Sequence, residues 1–285
     1  MLIADDAHNR KVKEFYENID RESRYSSENS ATQHSFFPLL IAFVDKWNLW
    51  EKKCLEVGSA KGLFQDMVAD YTGVDLASSL SVYYHKPFVA VADAKLPFAD
   101  ASFDAIVSYS TYEHIPDIET ALGEIIRVLK PGGICLLAPA WHTRPWFAEG
   151  YQVRPYSGLT FRQMLIKASI PLRDNVLIRY PYIFLRRLVR LCGYFLADGR
   201  PGALKYRKLR ANYRVYWQSD SDACNSLDPF DVILWFRSRG FVCHGYASLA
   251  KCLLIRAYAI ELQKPPVGMQ VGRRVPRKIN ECRSK

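Results

Sequence analysis

Leu55-Glu56-Val57-Gly58-Ser59-Ala60-Lys61-Gly62 (residues 55–62) runs from an apolar stretch into a glycine turn and on into a segment with helical spacing. Such a strand-turn-helix opening, repeated downstream, is the pattern of β/α units and a parallel sheet. Outward from it, Cys54–Val57 reads as the first strand, Lys61–Ala69 as the first helix, Tyr71–Val74 as the second strand and Phe88–Ala92 as the third. Asp104–Tyr109 and Ile134–Ala138 follow as the fourth and fifth strands. Between them Ile118, Leu122, Ile125, Ile126 and Leu129 share one helical face, with Asp117 placed to cap the start and Lys130-Pro131-Gly132-Gly133 to stop the end. After Ala140 the rhythm breaks for about 85 residues, then resumes with a helix over Pro229–Arg239 and strand-like runs over Phe241–Tyr246 and Cys252–Leu262.

The expected organisation is a helical cap (1–50), a sheet core (51–140), an insertion (141–226), the last helix and strands of the core (227–264), and a disordered basic tail (265–285). With 285 residues, 49% apolar and 24% charged, the chain has the composition of a globular protein. Its net charge of +10 is uneven. Residues 1–150 carry 14 Lys and Arg against 21 Asp and Glu, whereas residues 151–285 carry 25 against 8. An acidic core with a cationic attachment points to an anionic or amphipathic partner rather than to a coat over nucleic acid. The seven cysteines show no C-x-x-C pair and no ligand-like clustering with the six histidines, so neither a zinc site nor a disulfide framework is expected. Cys54 and Cys135, inside apolar runs, read as core residues. The acidic start lacks a secretory pattern, and charge breaks every apolar run well short of the roughly 20 residues a bilayer crossing needs. A cytoplasmic protein is the expectation.

The glycine turn departs from the dinucleotide pattern G-x-G-x-x-G, which needs glycine where Ala60 stands and glycine or alanine where Leu63 stands, and the Walker spacing is absent. Glu56, just before the turn, opposes a pyrophosphate but suits an ammonium group. Asp75 ends the second strand 17 residues after Gly58, where a carboxylate can accept both hydroxyls of a ribose. Asp93 ends the third strand, where it can accept from an exocyclic amine, with Leu76 and Ala94 offering apolar contact to an adenine. The ligand these acids describe is an adenosine with a cationic amino-acid tail and no phosphate, namely S-adenosylmethionine.

Five ordered motifs make the resemblance specific. They are Glu56-Val57-Gly58-Ser59-Ala60-Lys61-Gly62, Gly73-Val74-Asp75-Leu76, Asp93-Ala94-Lys95-Leu96-Pro97-Phe98, Ser102 to Ser108, and Glu113-His114 followed by Arg127-Val128-Leu129-Lys130-Pro131-Gly132-Gly133. The sequence resembles the class I S-adenosylmethionine-dependent methyltransferases, in particular the small-molecule type 11 subfamily. The resemblance implies a Rossmann-like α/β fold: a seven-stranded, mostly parallel sheet with an antiparallel last strand, helices on both faces, and cofactor binding at the carboxyl ends of strands one to four. By that analogy Glu56, Gly58 and Gly62 hold the methionine part, Asp75 the ribose, and Leu76, Asp93 and Ala94 the adenine, with Ser59 and Ala60 also among the cofactor-binding residues. Ser110, just past the fourth strand, completes the set. Ala60 departs from the family, which most often has glycine there, and its methyl group narrows the turn.

Methyl transfer from a sulfonium is an in-line displacement, so proximity, alignment and exclusion of water matter most. A hydroxyl or amine acceptor must also lose a proton, and His114 and His142 are the candidate bases, at the ends of strands four and five. Each has a structural alternative, as a helix cap or a loop residue. Ser108-Tyr109-Ser110-Thr111 lacks the Asn/Asp-Pro-Pro-aromatic tetrad of base-methylating enzymes, and neither Cys54 nor Cys135 follows a proline. A small-molecule, glycan or lipid-linked acceptor methylated at oxygen is therefore preferred over RNA. A non-catalytic methyltransferase-like module at membranes is a further alternative.

The insertion is expected to be largely helical and basic. From Tyr182, after Pro181 sets the start, Phe184, Leu185, Leu188, Leu191, Cys192, Phe195 and Leu196 recur at helical spacing, with Arg186, Arg187 and Arg190 on the other side. Two orientations follow. The apolar face covers the active site as a lid and the arginines face solvent, or the helix rests on an anionic membrane surface as a peripheral contact. Lys205 to Arg210 and nearby aromatics add charge and interfacial character.

Overall fold

The computed structural model describes residues 12–18, 30–213, 220–246, 248–255 and 258–268; the expected tail lies almost wholly outside them. The strands are β1 (Lys53–Val57), β2 (Asp70–Asp75), β3 (Phe88–Ala90), β4 (Phe103–Tyr109), β5 (Leu129–Ala138), β6 (Arg207–Lys208), β7 (Asn225–Ser226), β8 (Val242–His244) and β9 (Ile260–Gln263). Seven of them form one sheet in the order β3-β2-β1-β4-β5-β9-β8, and β6 pairs with β7 outside it. β1 to β5 run parallel, while β9 is antiparallel to both β5 and β8. This is the Rossmann-like methyltransferase sheet that the motifs implied.

The helices are α1 (12–18), α2 (Phe37–Trp47), α3 (Ile118–Val128), α4 (Pro145–Ala148), α5 (Phe161–Asp174), α6 (Val176–Leu196), α7 (Pro229–Arg237) and α8 (Leu249–Leu253). Alternate side chains of each strand face opposite layers. Leu55, Val74, Ile106, Cys135 and Leu137 pack into one core with α3 and α7. Cys54, Tyr71, Val107 and Leu136 pack into the other with α2, Phe64 and Met67. Helices thus cover both faces, and Cys54 and Cys135 are buried core thiols.

α3 begins where Asp117 accepts from the Thr120 amide. It also fixes the loop after β3: Glu124 accepts from the Leu96 amide, and Arg127 donates to the carbonyls of Leu96 and Phe98. Strand order reverses between β1 and β4, which opens a crevice at their carboxyl ends.

Four local expectations are corrected. The helix over Lys61–Ala69 is instead a turn followed by a single 3-10 segment, Gln65–Met67. A five-residue parallel strand must be retraced over about 16 Å, whereas the seven residues left after Gly62 would rise only about 10 Å as an α-helix. The third strand stops at Ala90, after which the chain bends into the loop held by α3. Cys252 lies in α8, capped by Ser248, and not in the last strand. Pro181 does not start its helix. Asn175 caps the Leu177 amide and starts α6 earlier, so Pro181 removes only one backbone hydrogen bond inside it.

Candidate functional site

The glycine turn sits at the carboxyl end of β1 and is tied to β2. Gly58 and Ser59 amides donate to the Val74 carbonyl, and the Ala60 amide donates to Asp75 Oδ2 at 2.9 Å. The other Asp75 oxygen accepts from the Leu76 amide at 2.7 Å. Gly58 has φ +73°, and a methyl group there would fall 2.0 Å from the Thr111 Oγ1, so the approach of the β4 loop requires glycine. Ala60 and Ser110 also adopt left-handed backbone, at φ 44° and 45°. Tyr84 closes the turn from the side, donating to Ser59 Oγ at 2.7 Å and placed 2.9 Å from the Ala60 carbonyl, with its ring against Gly62.

Glu56 lies beneath this turn, where Tyr71 donates to its Oε2 at 2.5 Å. Burial pushes its carboxyl up to about 8, against the opposing effect of that hydrogen bond. Burial likewise raises Asp75, despite the amides it accepts from. Among the described residues neither carboxyl has a cationic partner. A pair of desolvated acids beside a turn with bare backbone fits a ligand that brings hydroxyls and positive charge, as S-adenosylmethionine does. Leu76 follows Asp75 half-buried, and Asp93 and Ala94 stand on the α3-held loop, Asp93 exposed and accepting from the Lys95 amide.

Helix α1 spans the crevice. Glu17 accepts from the amide and hydroxyl of Ser78 after β2, both at 2.9 Å, and Tyr16 donates to Asp222 at 2.6 Å near the end of β4. His114 is held there by Asp222, at 3.1 Å from Nδ1, and by Glu113, at 3.7 Å from Nε2. Although burial opposes the charge, these acids push its pKa up to about 9. The imidazole is therefore cationic at neutral pH and holds no lone pair to accept a proton. Glu113 itself is fully buried and accepts from the Ala140 amide at 3.0 Å, bracing the end of β5.

His142 stands in the loop after β5, anchored by its amide to the Leu227 carbonyl, and has left-handed backbone at φ 58°. Burial lowers its pKa to about 4, offset in part by Asp228. It is neutral, with Nε2 at 3.4 Å from Arg187 Nη2 and 3.9 Å from Asp228. The two candidate histidines thus belong to separate clusters, one cationic and one neutral. The spacing of the sequence carried no sign of Tyr71, Tyr84, Glu17, Asp222 or Asp228. Each reaches the site across 15 residues or more and has no motif around it.

A sheet with this order, bearing an acid-flanked glycine turn at its switch point, defines the S-adenosylmethionine-dependent methyltransferase class. Residues 55–137 match the type 11 family model described as a methyltransferase domain. A probable S-adenosylmethionine-dependent methyltransferase of Mycolicibacterium smegmatis is 34% identical over 138 residues, covering 43% of this chain and 53% of that protein. A sterol 24-C-methyltransferase of Gibberella zeae is 52% identical over 147 residues, covering 50% of this chain and 34% of the relative. A ubiquinone biosynthesis O-methyltransferase of Pseudomonas fluorescens is 27% identical over 132 residues, covering 40% and 53%. The match therefore spans about half, or less, of the length of each of these relatives.

Proposed function

We propose that the chain transfers a methyl group from S-adenosylmethionine to an oxygen of a small, glycan or lipid-linked acceptor, with a lipid-linked acceptor favoured. The observation that carries this reading is the Ala60–Asp75 pairing at the switch point of a sheet whose core matches a methyltransferase domain. When bound, the cofactor supplies a methyl group on a sulfonium, and its transfer leaves a neutral thioether.

The chain's own residues bind and orient. Asp75 accepts from the ribose hydroxyls, Leu76 and Ala94 flank the adenine, and Asp93 accepts from its amine. Gly58, Ser59, Ala60 and Gly62 present backbone to the amino-acid tail, and Glu56 beneath them gives up its proton to face the positive charge. Helix α1 roofs the crevice through Glu17 and Tyr16 and keeps water out. His142 is neutral, but the burial and the arginines that hold its pKa at about 4, with Nε2 facing Arg187, make it a poor proton acceptor, and cationic His114 positions the β4 loop through Asp222. His34, Phe36, Tyr109 and Tyr258 cluster at the end of β4, with Phe36 and Tyr109 stacked at 4.8 Å. The partly exposed rings of His34, Tyr109 and Tyr258, backed by buried Phe36, suit an apolar acceptor. Two of the relatives carry names with sterol and ubiquinone in them, in keeping with that chemistry.

Incubation with methyl-labelled cofactor and a detergent-dispersed lipid extract tests the proposal. The expected product is organic-extractable, heavier by one methylene, and fragments as a methyl ether or ester. Label recovered only in RNA, or on an amine, contradicts it.

A further inference from the structure

Helix α6 settles with its polar side inward. Arg187 is 4% exposed; it donates to both oxygens of Asp228 and to the carbonyls of Leu253 and Ile255. Arg186 pairs with the same carboxylate, and Arg190 lies 3.7 Å from Asp231. The expectation of a lid with solvent-facing arginines is thereby overturned. These contacts turn the opposite stripe outward: Leu177 is 81% exposed, Leu185 60%, Val189 70% and Leu196 89%. On α5, Phe161, Leu165 and Leu172 recur on one helical face and are exposed as well. Of the 23 large apolar side chains exposed among the described residues, 14 fall within residues 161–196. Soluble monomers rarely present so much apolar surface in one place without a partner for it.

We propose that the outer face of α5 and α6 docks on the surface of an anionic lipid bilayer. The charge on the page selects this occupant. Arg162 and Arg173 flank the α5 stripe and Arg200 follows α6, all of them exposed, against Asp198 as the exposed acid of residues 161–200. A basic rim around exposed Leu, Phe and Tyr is the composition of a helix lying in the headgroup region. A second copy of the chain would set this cationic rim against itself. No helix among the described residues is long and apolar enough to cross a membrane, so the contact is one of lying on the bilayer. The inner side of the same helix touches His142 through Arg187, which places the loop after β5 about one helix diameter, roughly 10 Å, from the docked surface. Docking deepens the proposed reading by presenting the crevice to an acceptor held in the bilayer, but it requires neither cofactor nor turnover.

The 285-residue chain, without cofactor, is sedimented with vesicles of neutral phosphatidylcholine or of phosphatidylcholine with one-third phosphatidylglycerol. It is expected to bind the anionic vesicles, to weaken as salt is raised, and to lose binding at least tenfold in Leu185→Glu/Val189→Glu with an unchanged melting temperature. Replacing Arg162 and Arg173 by Gln should cost about fivefold per charge. Wild-type protein that binds neither vesicle, binds both equally, or binds unchanged in the Glu variant overturns the proposal. So does a dimer, seen by light scattering, that the Glu variant dissociates. Failure of methyl transfer with intact vesicle binding would count against the catalytic reading alone.

Discussion

Ala60 occupies left-handed backbone, a conformation that costs a residue with a Cβ roughly 1–2 kcal/mol. Its amide nonetheless reaches Asp75 Oδ2 across the turn. Ala60→Gly should therefore raise stability by about 1 kcal/mol in urea denaturation and tighten binding of S-adenosylhomocysteine; a loss of stability would show that the methyl group packs usefully. Glu56 stays protonated up to about 8 in the free protein, and a cationic ligand favours its ionised form. Cofactor binding near pH 7 should then release a proton, detected by calorimetry in buffers of different ionisation enthalpy and abolished in Glu56→Gln. His114 acts on stability. Its folded pKa of about 9 lies above the ordinary 6.5, so its contribution is complete below pH 6.5 and is lost as pH rises through 9. His114→Gln should shrink the difference between urea midpoints measured at pH 6.5 and pH 9; an unchanged difference contradicts the ion pair with Asp222.

At the scale of elements, the strands and α3 were legible because burial on both faces gives β1, β4 and β5 nearly unbroken apolar runs and gives α3 a clean 3.6-residue stripe. The crossover after Gly62 was not, because local propensity says nothing about the distance a chain must retrace. The motifs placed Glu56 and Asp75 correctly beside the turn, but not the tyrosines and acids that reach it from distant segments. The spacing of α6 told which side is apolar and could not tell which side faces in. That choice is made by Asp228, 41 residues after Arg187, through contacts no pattern within the helix contains. Asp228 is 3% exposed, accepts from Arg187, and caps α7 through the Phe230 amide. Asp228→Ala should cost about 3–5 kcal/mol in urea denaturation, because it strands the buried Arg187. A cost below about 1 kcal/mol would place these arginines in solvent.

At the scale of the whole molecule, the uneven charge has a structural counterpart. The acidic half builds five of the seven strands of the sheet and the crevice for a cationic ligand, and the cationic half builds the outward helices together with the last two strands. Helix α1 joins the two halves, with Glu17 on the cofactor side and Tyr16 on Asp222 of the chain returning from the insertion. The claim on which the rest depends is that the turn and Asp75 hold the adenosyl ligand. Isothermal titration with S-adenosylhomocysteine tests it directly: the account predicts one site per chain and a loss of at least tenfold in affinity in Asp75→Asn, with the fold confirmed by circular dichroism. Absence of binding to the wild-type chain, or undiminished affinity in the folded variant, would contradict it.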